Sequence, residues 1–203
     1  RMRNGGGAPH RKRKTANLPP RTASHMEKPL ASMTARDWRI LREDHDIRVR
    51  GRAPPPLRRF DERGAPVRIH PALLDAVREV LRYKDPSPIQ RQAIPIGMER
   101  RDMIGVAETG SGKTAAFGIP LLHHVMRLSP EVLAAVSETG PLALIMAPTR
   151  ELALQIEEVV KQLLTRQPRN APTQIKSLAV VGGQSVTLQA TALREGVHVV
   201  VGT

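Results

Sequence analysis

The sequence predicts an α/β fold, a parallel sheet with flanking helices, placed after a basic, largely disordered N-terminal tail. Three observations carry that prediction. From residue 60 onward, short apolar runs alternate with amphipathic helical stretches. A glycine-rich phosphate loop joins one apolar run to the next helix. The charge is segregated: residues 1–59 hold 16 Lys and Arg against 5 Asp and Glu, a net of +11, whereas residues 60–203 hold 16 against 14, a net of +2.

The first segment, 1–59, carries Gly5-Gly6-Gly7, Arg11-Lys12-Arg13-Lys14, Pro19-Pro20 and Pro54-Pro55-Pro56. Low hydrophobicity with high charge does not offset the entropy of ordering, so most of it is expected to be unfolded. The basic run suits either a nuclear import signal or a solvated tail. One stretch differs. Thr34 can cap a short helix on which Trp38 and Leu41 share a face, a docking point on this chain or on a partner.

The second segment, 60–203, is the foldable part. Pro71–Tyr83 reads as a helix with Leu73, Leu74, Val77, Val80 and Leu81 on one face. Pro88 opens another helix, which runs to Met98 with Pro95 inside it. Met103–Ala107 reads as a buried strand, followed by a helix over Lys113–Leu128. Leu142–Ala147 is a second strand and Arg150–Leu164 a helix. Ile175–Val181 is a third strand, Val186–Arg194 a helix and Val197–Val201 a fourth strand. Ser129–Gly140 and Arg166–Gln174 are expected to be polar surface loops. Strand–helix alternation at this spacing favours parallel pairing through helical crossovers.

Composition excludes several classes. The chain has no Cys, so it has no disulfide scaffold, thiolate zinc site or thiol nucleophile. Aromatics are 2% of residues, too few for a base-stacking platform. No apolar run approaches the ~18 residues of a membrane helix. The seven His show no metal-ligand spacing, and His123-His124 are expected to flank a solvated helix face.

The chemistry concentrates in Ala107-Glu108-Thr109-Gly110-Ser111-Gly112-Lys113-Thr114. Its glycines let backbone N–H groups wrap a phosphate, and the following helix adds its positive end. Lys113 suits the β- and γ-phosphates of a nucleoside triphosphate, and the Thr114 hydroxyl suits Mg²⁺. Upstream, Gln90 carries both a donor and an acceptor, which can pair with adenine N6 and N7, while Phe60 could stack on the base. Pro148-Thr149-Arg150 closes a strand and opens a helix, presenting a hydroxyl, an N–H and a charge to a nucleic-acid phosphate. Gly182-Gly183 would allow a nucleic-acid strand close to the backbone.

Together, Pro86-Ser87-Pro88-Ile89-Gln90, the loop, Pro148-Thr149-Arg150-Glu151-Leu152-Ala153 and Gly182-Gly183 resemble the DEAD-box RNA helicases over Phe60–Thr203. The resemblance implies a RecA-like ATP-binding lobe, truncated at its C-terminus, in an RNA-dependent ATPase. ATP would be bound by Phe60, Ser87, Gln90 and Ala107–Thr114, with Lys113 and Thr114 catalytic and Thr114 on Mg²⁺. RNA would be bound by Pro148, Thr149, Arg150, Gly182, Gly183 and Thr203, the last beginning a further family motif, through sequence-independent backbone contacts. One departure is Arg82, where the family commonly has Gly. The segment Met33–Asp44 together with Arg91–Gly97 resembles the family's spliceosomal members acting at the 5′ splice site. That implies nuclear localisation and spliceosomal ribonucleoprotein partners. The Asp-Glu-Ala-Asp motif does not occur in the 203 residues, so this stretch alone is expected to bind nucleotide weakly and not to unwind RNA. The competing readings are another P-loop NTPase, such as a nucleotide kinase, and a non-enzymatic product acting through its basic tail.

Overall fold

The structure, a computed structural model, describes residues 25–62 and 68–203. Helix α1 (Ala35–Asp44) starts at a capping box: Thr34 Oγ1 accepts from the Asp37 N–H, and the Asp37 carboxylate accepts from the Thr34 N–H at 2.7 Å. Lys28 Nζ lies 2.7 Å from the same carboxylate, and with the Thr34 hydrogen bonds it holds Asp37 well below the usual carboxylate range. Leu41 is fully buried and Trp38 half-buried, so the docking point of α1 lies on this chain. The Arg11–Lys14 run falls outside the described residues. Residues 25–59 are tied by hydrogen bonds to the body of the fold at Arg42, Pro54, Leu57 and Arg58 instead of extending freely, while residues 48–52 stay exposed.

Helix α2 (Pro71–Asp75) passes into a π turn over Ala76–Val80, in which the Leu81 N–H reaches back to Ala76 O at 2.9 Å. The helix expected to Tyr83 therefore ends earlier, and Arg82 turns the chain at φ +55°. That left-handed conformation is strained for Arg and free for Gly, which gives the Arg82 departure a small conformational cost. Helix α3 (Pro88–Met98) and helix α4 (Lys113–Val125) pack together. Gly97 makes this possible, since a Cβ there would stand 2.7 Å from the Pro120 ring.

Two short helices, α5 (Pro130–Ala134) and α6 (Val136–Thr139), replace the surface loop expected over Ser129–Gly140. Leu133 and Val136, one turn apart, are both buried. The Nε2–H of buried His198 donates to Leu133 O at 3.1 Å and holds this turn down.

Strands β1 (Ala143–Met146), β2 (Ser177–Val180) and β3 (Val199–Gly202) form a parallel sheet in the order β1-β3-β2. Ile145, Val201 and Ala179 are in register across it and all buried. Helix α7 (Arg150–Leu164) packs on β2 and β3 and buries Ala153, Ile156, Val160 and Leu163. Helix α8 (Val186–Arg194) follows β2. Alternate residues of β1 face the other way, and Leu144 is 63% and Met146 79% exposed.

The apolar run Met103–Ala107 is not a buried strand. It lies outside any ladder, with Ile104 97% and Val106 90% exposed. An apolar run becomes a strand only where another strand offers its backbone, and among the described residues none pairs with it.

His123 is buried, contrary to the expected solvated face. Its Nδ1 accepts from the His70 N–H at 3.1 Å, which requires the neutral ring. Burial, with the nearby His124, Arg127 and His70, pushes its pKa down to about 4, and burial lowers His70 and His198 as well. The native state therefore binds fewer protons than the unfolded chain between about pH 4 and the ordinary histidine value of ~6.5. This contribution to stability is intact above that window and falls as pH drops through it. Urea unfolding at pH 7.5, 6 and 4.5 should give a steadily falling midpoint, and His123→Gln should flatten the fall.

Candidate functional site

The phosphate loop ends at Gly112, whose left-handed backbone (φ +82°) is the N-cap of α4. Gly110 is also left-handed, at φ +81°. Glycine reaches this conformation without the strain a Cβ would add, in the kind of turn where backbone N–H groups can cradle an anion, and here the Ser111 N–H is bonded to Glu108 O at 3.3 Å. Lys113 Nζ donates to the loop's own Ala107 O at 2.6 Å and to Glu108 O. The ammonium thus sits inside the loop and can exchange carbonyls for phosphate oxygens. Glu108, Thr109 and Gly110 are exposed, whereas Ser111, Gly112 and Thr114 are half-buried.

Helix α3 holds this loop from behind. Ser87 Oγ donates to Ser111 O at 2.6 Å. Gln90 Nε2 donates to Gly112 O at 3.2 Å, while Gln90 Oε1 accepts from the Ser87 N–H at 2.9 Å. The Ser87 N–H can only donate, so it fixes which end of the carboxamide is oxygen. These two bonds use one N–H and one lone pair of the carboxamide, leaving it the capacity for one further bond of each kind. Gln90 is 2% exposed, a buried amide rather than a surface glutamine. Phe60 is 6% exposed and packed in the hydrophobic core, which offers little ring face to a base.

The donor set fits a nucleoside triphosphate with magnesium. The cradle has a wall that a Cβ at Gly112 would drive into the Gln90 amide, and Thr114 supplies a hard hydroxyl oxygen at the start of the helix.

The second group of candidates meets at the C-terminal ends of the strands. Pro148, Thr149 and Arg150 follow β1, Gly182 and Gly183 follow β2, and Thr203 follows β3, all of them exposed. Thr149 caps α7, its hydroxyl accepting from the Leu152 N–H at 3.3 Å. The Arg150 guanidinium lies over Gly183 (φ +77°), where a Cβ would stand 2.9 Å from its Cζ. Ligands of open α/β sheets bind at this edge. Sequence reasoning missed Gln189 of α8. Its carboxamide accepts from the Val181 N–H at 3.0 Å and donates to Val181 O at 3.1 Å, clasping the strand end before the glycine pair. A single Gln in an amphipathic helix gives no signal of this.

The two loop glycines make a contrast that can be measured. Gly110 has open space around it, so Gly110→Ala meets only backbone strain, whereas Gly112→Ala also displaces Gln90. Gly112→Ala should lower the melting temperature by several degrees more than Gly110→Ala, the equivalent of about 1–2 kcal/mol.

Comparison with known proteins identifies the family and the fold. The DEAD/DEAH box helicase family model matches residues 87–203. The chain is 50% identical over 178 residues to the pre-mRNA-splicing ATP-dependent RNA helicase PRP28 of Cryptococcus neoformans var. neoformans serotype D, covering 87% of this chain and 22% of that protein. It is 47% identical over 178 residues to the probable ATP-dependent RNA helicase DDX23 of Homo sapiens, covering 87% and 20%. It therefore spans about a fifth of the length of these relatives. The crystal structure of the yeast DEAD-box splicing factor Prp28 superposes with a TM-score of 0.76 at 38% identity, covering 87% of this chain and 39% of that one. That of the RNA helicase Prp28 from Chaetomium thermophilum bound to ADP gives 0.70 at 43% identity, covering 87% and 40%. With the family model spanning more than half of its residues and the phosphate loop tied to the Gln90 amide, the chain belongs to the DEAD/DEAH box helicase family.

Proposed function

We infer that this chain is the ATP-binding part of an RNA-dependent ATPase that remodels RNA during pre-mRNA splicing in the nucleus. The observation that carries the reading is the hydrogen bond between the Gln90 amide and Gly112 O, which couples a base-reading group to a phosphate cradle. Gln90 would take adenine through its remaining donor and acceptor. The loop N–H groups from Gly110 to Lys113 would hold the β-phosphate, and Lys113 would leave Ala107 O for the γ-phosphate oxygens. Thr114 would hold a magnesium ion, which neutralises phosphate charge when bound. Arg150, Thr149, Gly182, Gly183 and Thr203 would contact the RNA backbone, with spliceosomal ribonucleoproteins as partners. Residues 1–24 of the extension would serve localisation or partner attraction, whereas Arg42, Pro54, Leu57 and Arg58 are bonded to the lobe 60–203.

Titration of the full-length protein with ATP and GTP tests the nucleotide reading. Lys113→Ala should weaken ATP binding by about ten- to a hundredfold, the loss of one charge-assisted hydrogen bond. Gln90→Ala should erase the preference for ATP over GTP. Equal binding of both nucleotides by the wild type would favour another P-loop NTPase.

RNA binding is tested by salt dependence. Arg150→Gln should make the log–log slope of single-stranded RNA affinity against salt shallower by about 0.7, one phosphate contact. Binding that survives Arg150→Gln unchanged but is lost on deletion of residues 1–59 would favour a basic-tail interaction module instead.

A further inference from the structure

Three consecutive residues of α3 serve two different parts of the molecule. Gln90 faces the phosphate loop. Arg91 and Gln92 face the segment that runs ahead of Phe60. Arg91 Nη1 donates to Leu57 O at 3.1 Å and Arg58 O at 2.6 Å, and Arg91 O accepts from the Leu57 N–H at 2.8 Å. Gln92 Nε2 donates to Pro54 O at 2.9 Å, and its Oε1 accepts from Arg42 Nε at 2.9 Å. Arg42 Nη2 closes the ring by donating to Pro54 O, also at 2.9 Å. Arg58 extends the network, pairing with Glu62 and donating to His25 O at 2.8 Å and to Lys28 O. Arg58, Arg91 and Gln92 are all buried, so water does not compete for these bonds.

We propose that Arg91 and Gln92 are positioning residues for base recognition: by fastening residues 25–58 onto α3 they hold the helix where the Gln90 amide meets the phosphate loop. A helix moves as a rigid element, so its first turn cannot shift at Arg91 without shifting at Gln90. Gln90 also forms part of the capping box that starts α3, so the same turn sets the direction of its amide. Hydrogen bonds to a base tolerate only a few tenths of an ångström, and a displaced amide loses discrimination before the loop loses phosphate. This inference rests on the adenine reading of Gln90 and extends it to a segment outside the loop.

The test uses the full-length protein and isothermal titration with ATP, GTP and inorganic tripolyphosphate. Gln92→Leu keeps side-chain volume and removes both polar contacts. It should weaken ATP binding about five- to tenfold, weaken tripolyphosphate binding by less than twofold and so reduce the ATP-over-GTP preference. Added to Gln90→Ala, it should have no further effect on ATP, because both act through one group. Arg42→Gln severs the ring from the other side at a half-buried residue and should reproduce the effect, and it decides the matter if Gln92→Leu fails to fold. The proposal is overturned if the folded variants bind ATP like the wild type. It is equally overturned if all three ligands weaken alike, or if the effect adds in full to that of Gln90→Ala. A wild type that binds ATP and GTP alike would overturn the adenine reading and this inference with it, whereas wild-type preference for ATP with unaltered variants overturns this inference alone.

Discussion

Backbone carbonyls outside helices and strands must still find donors when they are buried, and that requirement organises this molecule. The irregular segments are held by side chains that reach their carbonyls. The N-cap of α3 and three residues of its first turns do most of it: Ser87 and Gln90 take Ser111 O and Gly112 O, and Arg91 and Gln92 take Leu57 O, Arg58 O and Pro54 O. At helix ends the same device recurs: His198 reaches Leu133 O in α5, and the His124 Nε2–H reaches Gly97 O in the last turn of α3 at 2.9 Å. Each donor is individually modest, about 0.5–1.5 kcal/mol net. Several of these carbonyls hold two donors: Gly112 O also accepts from the Ala116 N–H at 3.1 Å, and Pro54 O accepts from both Gln92 and Arg42, so the loop and the preceding segment are held by paired bonds where no strand ladder does it.

The exposed run Met103–Ala107 shows why this matters. A strand before the phosphate loop would ordinarily anchor it by backbone pairing. Here that run pairs with no strand among the described residues, so the loop hangs from α3 on one side and from α4 on the other. Lys113 adds a third tether by bonding Ala107 O, which also keeps a cationic group at the centre of the cradle.

What the sequence revealed followed the range of the interactions involved. Helices α3, α7 and α8 were readable to the residue, since Ser87, Thr149 and Ser185 cap them from adjacent positions. The strands run one to three residues shorter than their apolar runs, because pairing rather than hydropathy ends them. The loop glycines were legible because spacing alone carries their chemistry. The burial of His123, the clasp of Gln189 and the anchoring by Arg91 were not. His123 and Arg91 depend on partners 53 and 34 residues away and Gln189 on a strand end eight residues back across a turn, and a polar residue in a helix reads as a surface residue until that partner is known. The basic character of residues 25–59 was misleading for the same reason. Arg42 and Arg58 count as free charge in a composition, yet both are spent on carbonyls or an acidic partner of the same chain.

The strand order explains how separated segments become neighbours. Placing β3 between β1 and β2 brings the ends of three strands, Met146, Val180 and Gly202, to one edge although they are far apart in sequence. Gly183 then accommodates the Arg150 guanidinium because it has no Cβ, so the glycine positions a charge instead of merely turning the chain. Helix α7 begins at that same Arg150 and packs against α4, which begins at Lys113. The residues proposed for RNA and those proposed for nucleotide therefore stand at the starts of two helices in direct contact. The contact between the two helices includes Leu163 near the end of α7 against Gly118 in the middle of α4, so the two candidate sites are joined through one packed helix pair.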